Sequence, residues 1–416
     1  VSDVPILFAT RSLRLFAYGF LAVVLVLHLA ALGLPEWKIG LLLGLVLAGD
    51  AAVSLAITTR ADRVGRRKML LLGCGLMVGA GLAFAFTRDF LVLLVAGILG
   101  VVSPSGYEVG PFLAIEQAAL AHVVPDRDRT RLFAWYNLSG GVATALGSLA
   151  GGWLAREIGA RAGSDLAGYR AVVAGYALMG LVLAALFWRL SPSVEVRHED
   201  RPSDRIAPPR LGLSESRGIV ARLSALFALD AFGGGFVLQS ILAYWFHRRF
   251  GLDAAELGAL FFGANVLAAL SSLAAVGIAK RIGLVNTMVF THLPSNLLLM
   301  AVPLMPDPAS AIVLLLVRFS ISQMDVPTRQ SYTVAVVKPS ERSAAAGITN
   351  IARSVGAAAA PVLAGPMLRA LSVPGSPLWL VGAPFYLAGG VKVAYDLALW
   401  RQFRSLKPPE ERRGPA

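Results

Sequence analysis

Of 416 residues, 56% are hydrophobic and only 15% charged, with a mean hydropathy of +0.68. A soluble domain carries about 25% charged residues, so this composition excludes a water-soluble fold. The net charge of +13 falls in short loops between apolar runs rather than on one polar face, which argues against a nucleic-acid partner.

A helix needs about 20 mostly apolar residues to cross roughly 30 Å of hydrocarbon. Twelve stretches qualify: 12–33, 38–59, 67–87, 89–121, 130–155, 169–190, 217–246, 254–279, 285–305, 309–337, 342–370 and 378–402. The first is not followed by a small-residue cleavage site and reads as a retained span rather than a signal peptide. Cys74, the single cysteine, lies in the third and reads as a packing residue. The loops on the side of the N-terminus, the long middle segment and the C-terminus hold about three times the Lys and Arg of the other side. Both termini are therefore expected in the cytoplasm, with the chain in the plasma (inner) membrane.

The spans form two related sets. Ala61 to Lys68 reads A-D-R-V-G-R-R-K, and half a chain later Ala279 to Gly283 reads A-K-R-I-G. Asp128, Arg129 and Asn137 are echoed by Glu341, Arg342 and Asn350. Repeats this far apart indicate two duplicated halves, an architecture of secondary transporters. The expected fold is an all-α membrane protein of twelve transmembrane helices in two pseudo-symmetric six-helix bundles. The bundles are placed at 1–190 and 217–402, joined by a polar cytoplasmic linker at 191–216 and followed by a cytoplasmic tail at 403–416.

On these residues the chain resembles the major facilitator superfamily. Asp62, Arg63, Gly65, Arg66, Arg67 and Lys68 match the loop G-x-x-x-D-R-x-G-R-R-K that the family carries after span 2; Thr58 replaces its leading Gly, and Arg60 stands at a usually apolar position. The resemblance implies alternating access, with this loop as a conformational switch. It implies that Asp62 pairs with an Arg of span 11, here Arg353, and that Arg66 pairs with an acid low in span 4, here Glu116. The alternative for these side chains is snorkelling to lipid headgroups. Gly147 to Gly152 is similar to the family's antiporter element in span 5, with Ser148 in place of Pro; close helix packing is the competing reading.

Ionisable residues inside spans are costly and mark pathways by default. They are Asp50, Glu108, Glu116, Asp230, Arg318, Asp325, Arg329, Lys392 and Asp396. The resemblance implies that spans 1, 4, 7 and 10 line the cavity. Glu108, Asp230 and Asp325 are then the expected proton carriers, and Arg318 the expected contact to an anionic or zwitterionic solute. The competing reading is a fixed pair of Asp230 with Arg318. Asp325 and Arg329, four apart, are expected to pair within their helix, as are Lys392 and Asp396 in a peripheral span. Pro327 is expected to break the backbone ladder beside Asp325, and Ser103-Pro104-Ser105-Gly106 to bend span 4 beside Tyr107. Asn137 and Asn350 bond across helices or reach substrate. Trp245 reads as an interface anchor, and His28 as a packed histidine.

The expected partners are a small-molecule substrate, protons and the lipid bilayer, with the protein a monomer. No cofactor or metal is expected: His28, His122, His198, His247 and His292 lack metal-ligand spacing. No Gly-rich phosphate loop appears, which excludes an ATP-driven pump within this chain. The reading is a proton-coupled transporter, not an enzyme, with a lean to export. A non-transporting scaffold or sensor of the same fold, and a uniporter, are the alternatives.

Overall fold

The computed structural model describes residues 3–123, 126–195, 215–338, 341–406 and 408. Among them every regular element is helical. Lipid demands this, because a spanning segment must satisfy its own backbone N–H and C=O groups. Spans 1 to 6 comprise α1 (Asp3–Ala22) with α2 (Leu25–Ala31), α3 (Glu36–Val64), α4 (Arg66–Phe86), α5 (Phe90–Leu99) with α6 (Phe112–Val123), α7 (Asp126–Ala162) and α8 (Asp165–Trp188). Spans 7 to 12 comprise α9 (Arg217–Gly235) with α10 (Gln239–Phe250), α11 (Ala254–Ile282), α12 (Leu284–Ala301), α13 (Pro308–Phe319) with α14 (Asp325–Ala335), α15 (Arg342–Leu368), and the short α16 (Leu378–Val381) with α17 (Ala383–Phe403). The fold is thus all-helical, with twelve spans in two bundles.

Eight of these stretches are long and apolar enough to cross a membrane as they stand. Spans 4 and 10 are each split into two short helices, and spans 5 and 12 are more polar. Spans 1, 4, 7 and 10 are all broken: at Val23–Val24, across 100–111, at 236–238 and at 320–324. Three of the breaks have a local cause. Span 4 carries Gly100, Pro104, Gly106, Gly110 and Pro111; span 7 has Gly233-Gly234-Gly235; span 10 has Ser320 and Ser322. Gly106 and Gly110 adopt φ of 73° and 81°, a region other residues enter only with strain. The bend expected in span 4 is present. Pro327 breaks nothing, because it sits in the first turn of α14, where its missing N–H has no intrahelical role.

By internal compactness the chain divides into one unit of 1–203 with 238–265 and a second of 204–237 with 266–416. In the first, α1 packs along α7, and α4 along α8. A side chain at Gly147 or Gly151 would strike the backbone carbonyl of Phe16 or Phe20, so glycine sets the α1–α7 separation. Buried Trp245 packs edge-on to Phe246 and Phe250, at ring distances of 5.2 and 5.6 Å. It is a core residue and not the interface anchor expected from its position. Cys74 is fully buried.

In the second unit α9 packs on α15 and α17, and α12 on α17 and α14. Leu223, Phe227, Met288, Tyr332, Leu399 and Phe403 form its apolar core. Most of the linker (196–214) and most of the tail (407 and 409–416) lie outside the described residues.

Candidate functional site

Each unit encloses a cluster of charged side chains. In the first, the irregular 100–111 segment is held from three helices. Asp50 on α3 accepts from the Gly110 N–H (2.7 Å), Tyr18 on α1 donates to the Val109 carbonyl (3.0 Å), and Tyr176 on α8 donates to the Val101 carbonyl. Ser103 donates to the Tyr107 carbonyl at 2.7 Å. These bonds satisfy backbone groups that a helix would have paired internally. They also fix Glu108 at the edge of α1.

There Arg14 donates to both oxygens of Glu116 on α6, from Nη1 at 2.8 Å and Nη2 at 2.7 Å, and from Nε to Glu108 at 3.0 Å. Arg11 pairs with Glu108. Thr10 (2.7 Å) and Tyr136 on α7 also donate to Glu116. Arg14 and Glu116 are fully buried, whereas the Glu108 side chain is 17% exposed. Two guanidinium and two carboxylate groups balance, so the desolvation of each is offset by a bonded partner. Glu108 is the member that opens outward.

In the second unit Asp230 on α9 is the hub. Lys392 on α17 donates to its Oδ1 at 2.6 Å, Arg329 on α14 to its Oδ2 at 3.1 Å, and Arg353 on α15 to Oδ2 at 3.5 Å. Arg329 also donates to Asp325, at 2.7 Å, as expected. His292 on α12 lies between Asp230 (3.7 Å) and Asp396 (2.8 Å), and Asn296 donates to Asp396 at 2.9 Å. Arg353 is the open member, its side chain 31% exposed.

Several pairings, among them the competing reading of Asp230 with Arg318, are corrected. The cations on Asp230 are Lys392, Arg329 and Arg353, not Arg318. The break at 320–324 redirects the chain between α13 and α14, so the seven-residue spacing of Arg318 and Asp325 no longer gives one face. Arg318 is buried, with its guanidinium 4.8 Å from the Phe319 ring centre. Lys392 and Asp396 do not neutralise each other: one turns to Asp230 and the other to His292, because α17 lies against both α9 and α12.

Arg66 does not pair with Glu116, which Arg14 occupies. It donates to Asp62 (2.8 Å) and to the Val194 carbonyl (3.1 Å). Asp62 is thereby engaged within its own loop, and Arg353 by Asp230. Gly65, at φ 118°, separates α3 from α4. Glu195 then accepts from the N–H groups of Arg66 (2.7 Å) and Arg67 (3.1 Å), capping the start of α4, and Arg67 donates to the Leu190 carbonyl at 3.3 Å. Arg63 is exposed at the end of α3. Glu341 plays a matching part, accepting from Glu215 N (3.1 Å) and Ser216 N (3.0 Å) ahead of α9.

Tyr107, Asn137 and Asn350 are exposed. His28 is a packed histidine, with Nε2 2.8 Å from the Phe84 carbonyl. Ser148, in the span 5 element, accepts from Gln239 and Asn265, each at 3.2 Å, so this position bonds polar side chains as well as packing.

Sequence reasoning missed Arg11 and Arg14 and the cluster roles of Thr10, His292 and Asn296. The signal was present as spacing: three apart for Arg11 and Arg14, four apart for His292 and Asn296, each on one helical face in an apolar setting.

Comparison with known proteins bears on the family and the fold. A sequence model of the Major Facilitator Superfamily matches residues 7–361. An uncharacterized membrane protein of Saccharomyces cerevisiae, YJR124C, is 30% identical over 95% of this chain and 93% of its own length. Among solved structures, a D-xylose-proton symporter superposes with a TM-score of 0.72 at 15% identity, covering 96% of this chain and 97% of its own. The nucleoside transporter NupG gives 0.72 at 14% identity, covering 97% and 100%. A bacterial homolog of the human lysosomal transporter Spinster gives 0.68 at 18% identity, covering 95% and 94%. At these identities the solved structures speak for the fold. The match along residues 7–361 goes further, and on it this chain belongs to the Major Facilitator Superfamily.

Proposed function

We propose that this chain is a secondary active transporter that moves a small organic solute by alternating access between two six-helix halves, 1–190 and 217–402, with proton coupling and export as the favoured direction. The observation that carries the reading is the Asp230 hub. One buried carboxylate shared by Lys392, Arg329 and Arg353 is a set of exchangeable contacts, and transporters use such contacts to hold one state and release it in another. Glu108 is the matching open carboxylate of the first unit.

Asp62, Gly65, Arg66 and Arg67 form the switch loop, latched by Glu195. The protein works as a monomer in the plasma (inner) membrane with both termini in the cytoplasm. Reconstituted vesicles test this reading. A pH gradient should drive uptake or efflux of at least one compound in a metabolite and drug panel, and Glu108→Gln should reduce that flux at least tenfold. Absence of any flux across the panel, with or without a gradient, refutes transport. Flux that persists without a gradient points to a uniporter.

A further inference from the structure

At one end of the second unit α9 and α12 begin and α17 stops, and five cations gather there without an ion-pair partner among the described residues. They are Arg222 on α9, Lys280 and Arg281 at the end of α11, and Arg401 and Arg404 at the end of α17, each exposed. Leu284, Phe403 and Leu406 share one apolar core, so the turn from α11 to α12 lies beside the end of α17. The described acids at this end are engaged, Glu215 by Lys338 and Glu341 by the N–H groups of Glu215 and Ser216. Like charges gathered in this way draw an anion from outside the chain.

Two of the guanidinium groups are held on aromatic rings. The Arg404 Cζ is 4.4 Å from the Trp400 ring centre, and the Arg222 Cζ is 5.9 Å from that of Phe403. Trp400 in turn meets Phe290 of α12 edge-on, their centres 6.5 Å apart, and Arg222 Nε donates to the Gly218 carbonyl at 3.1 Å. A guanidinium stacked on a ring keeps donors along its edge, and its planar fork matches a phosphate group. The face of α17 below these charges narrows the choice of anion. Leu387, Gly390, Ala394, Leu397, Arg401 and Arg404 are all exposed and follow one another at steps of three and four, so they form one outward stripe. The stripe is apolar until its last turn and cationic there, and Gly390 leaves open space where a Cβ would stand. Its complement is a molecule with an apolar chain and an anionic head. A soluble phosphate or a nucleic acid would leave the apolar part unused.

We propose that the end of α17 binds an anionic phospholipid, with its phosphate on Arg401 and Arg404 and an acyl chain along Leu387 to Leu397. Arg222, Lys280 and Arg281 supply the surrounding positive field. The site does not depend on the transport reading. The orientation proposed above places it in the cytoplasmic leaflet, where anionic lipid attracts basic segments beside a span.

The test is native mass spectrometry of the full chain in detergent, after incubation with equal amounts of phosphatidylglycerol and phosphatidylcholine of the same acyl chains. Phosphatidylglycerol should be retained several-fold more than phosphatidylcholine. Arg401→Gln with Arg404→Gln should cut that retention several-fold, and so should Gly390→Phe, which fills the stripe and keeps every charge. Arg156→Gln with Arg161→Gln, which removes two exposed arginines near the end of α7, should leave it unchanged. Equal retention of the two lipids, or undiminished retention in the α17 double variant, overturns the site. Displacement of the lipid by excess inorganic phosphate, or no effect of Gly390→Phe, overturns the acyl-chain contact and leaves only an anion site. Should the double variant fail to fold, quenching by brominated lipid in vesicles decides with the native arginines in place. The emission lost in Trp400→Phe should be quenched several-fold more by brominated phosphatidylglycerol in phosphatidylcholine than by the reverse mixture, and equal quenching counts against the proposal.

Discussion

Lys392 on α17 places its ammonium 2.6 Å from the carboxylate of Asp230 on α9, so two residues 162 positions apart share one proton-rich contact inside an apolar bundle. Neither is tolerable there alone. Together they set the position of α17 against α9, while Arg329 and Arg353 gather at the other oxygen of the same carboxylate.

Asp230→Asn should be the most damaging single change in the second unit. It leaves Lys392, Arg329 and Arg353 crowded around a neutral amide, and removing one member of a buried ion pair costs about 3–5 kcal/mol. Thermal unfolding in detergent should show a large drop. Lys392→Met added to Asp230→Asn should recover part of it; no recovery would remove Lys392 as the principal partner.

The first cluster should show a graded response. Glu116 is fully buried and accepts from Arg14, Thr10 and Tyr136, whereas Glu108 is partly exposed. Glu116→Ala should therefore lower stability by about 3 kcal/mol or more, and Glu108→Ala by less, since water reaches that end of Arg11 and Arg14. Equal losses in the unfolding midpoint would contradict the assignment of Glu108 as the open member.

Two pairs of glycines should part company. Gly147→Leu or Gly151→Leu drives a side chain into the carbonyl of Phe16 or Phe20, and overpacking of this kind costs about 1–3 kcal/mol or more. Gly75 and Gly79 in α4 have open space where a Cβ would stand, and alanine there should be neutral or stabilising by about 0.5–1 kcal/mol. Midpoints from a thermal-shift series distinguish the two groups.

Glu195 caps α4 through the N–H groups of Arg66 and Arg67. Glu195→Ala should cost about 0.5–2 kcal/mol, the usual range for a lost N-cap. It should also speed tryptic cleavage after Arg66 and Arg67. Unchanged cleavage would mean that the latch does not restrain the loop.

One cap lies in a loop and has a pH signature. Asp307 accepts from the N–H and hydroxyl of Ser310 at the start of α13, and these bonds hold its carboxyl below the ordinary aspartate range. A depressed folded-state value adds stability above the unfolded value and loses it as pH falls through the folded one. Asp307→Asn should therefore be less stable than wild type at neutral pH, and the difference should shrink and then vanish as the pH falls below the ordinary aspartate range. A pH-independent difference would assign the effect to shape rather than charge.

Apolar run length, Lys and Arg placement and the Asp62–Lys68 loop were enough to identify twelve spans and the family, because bilayer thickness and backbone self-satisfaction leave few alternatives to an apolar stretch of that length. The bend at 100–111 was also legible, since Gly and Pro act through local backbone geometry. The break at Val23–Val24 was not, having neither residue to announce it. Nor were the partners of Asp230, Glu116 and Asp396: charge pairing within a bundle depends on which helix lies beside which, and on how a break such as 320–324 turns the next segment. Sequence spacing ties Lys392 to Asp396 and Arg318 to Asp325. Only the packing of α9, α12, α14, α15 and α17 around one point assigns those charges to Asp230 and His292, because a Coulomb contact is decided by a few ångströms that no one-dimensional pattern contains.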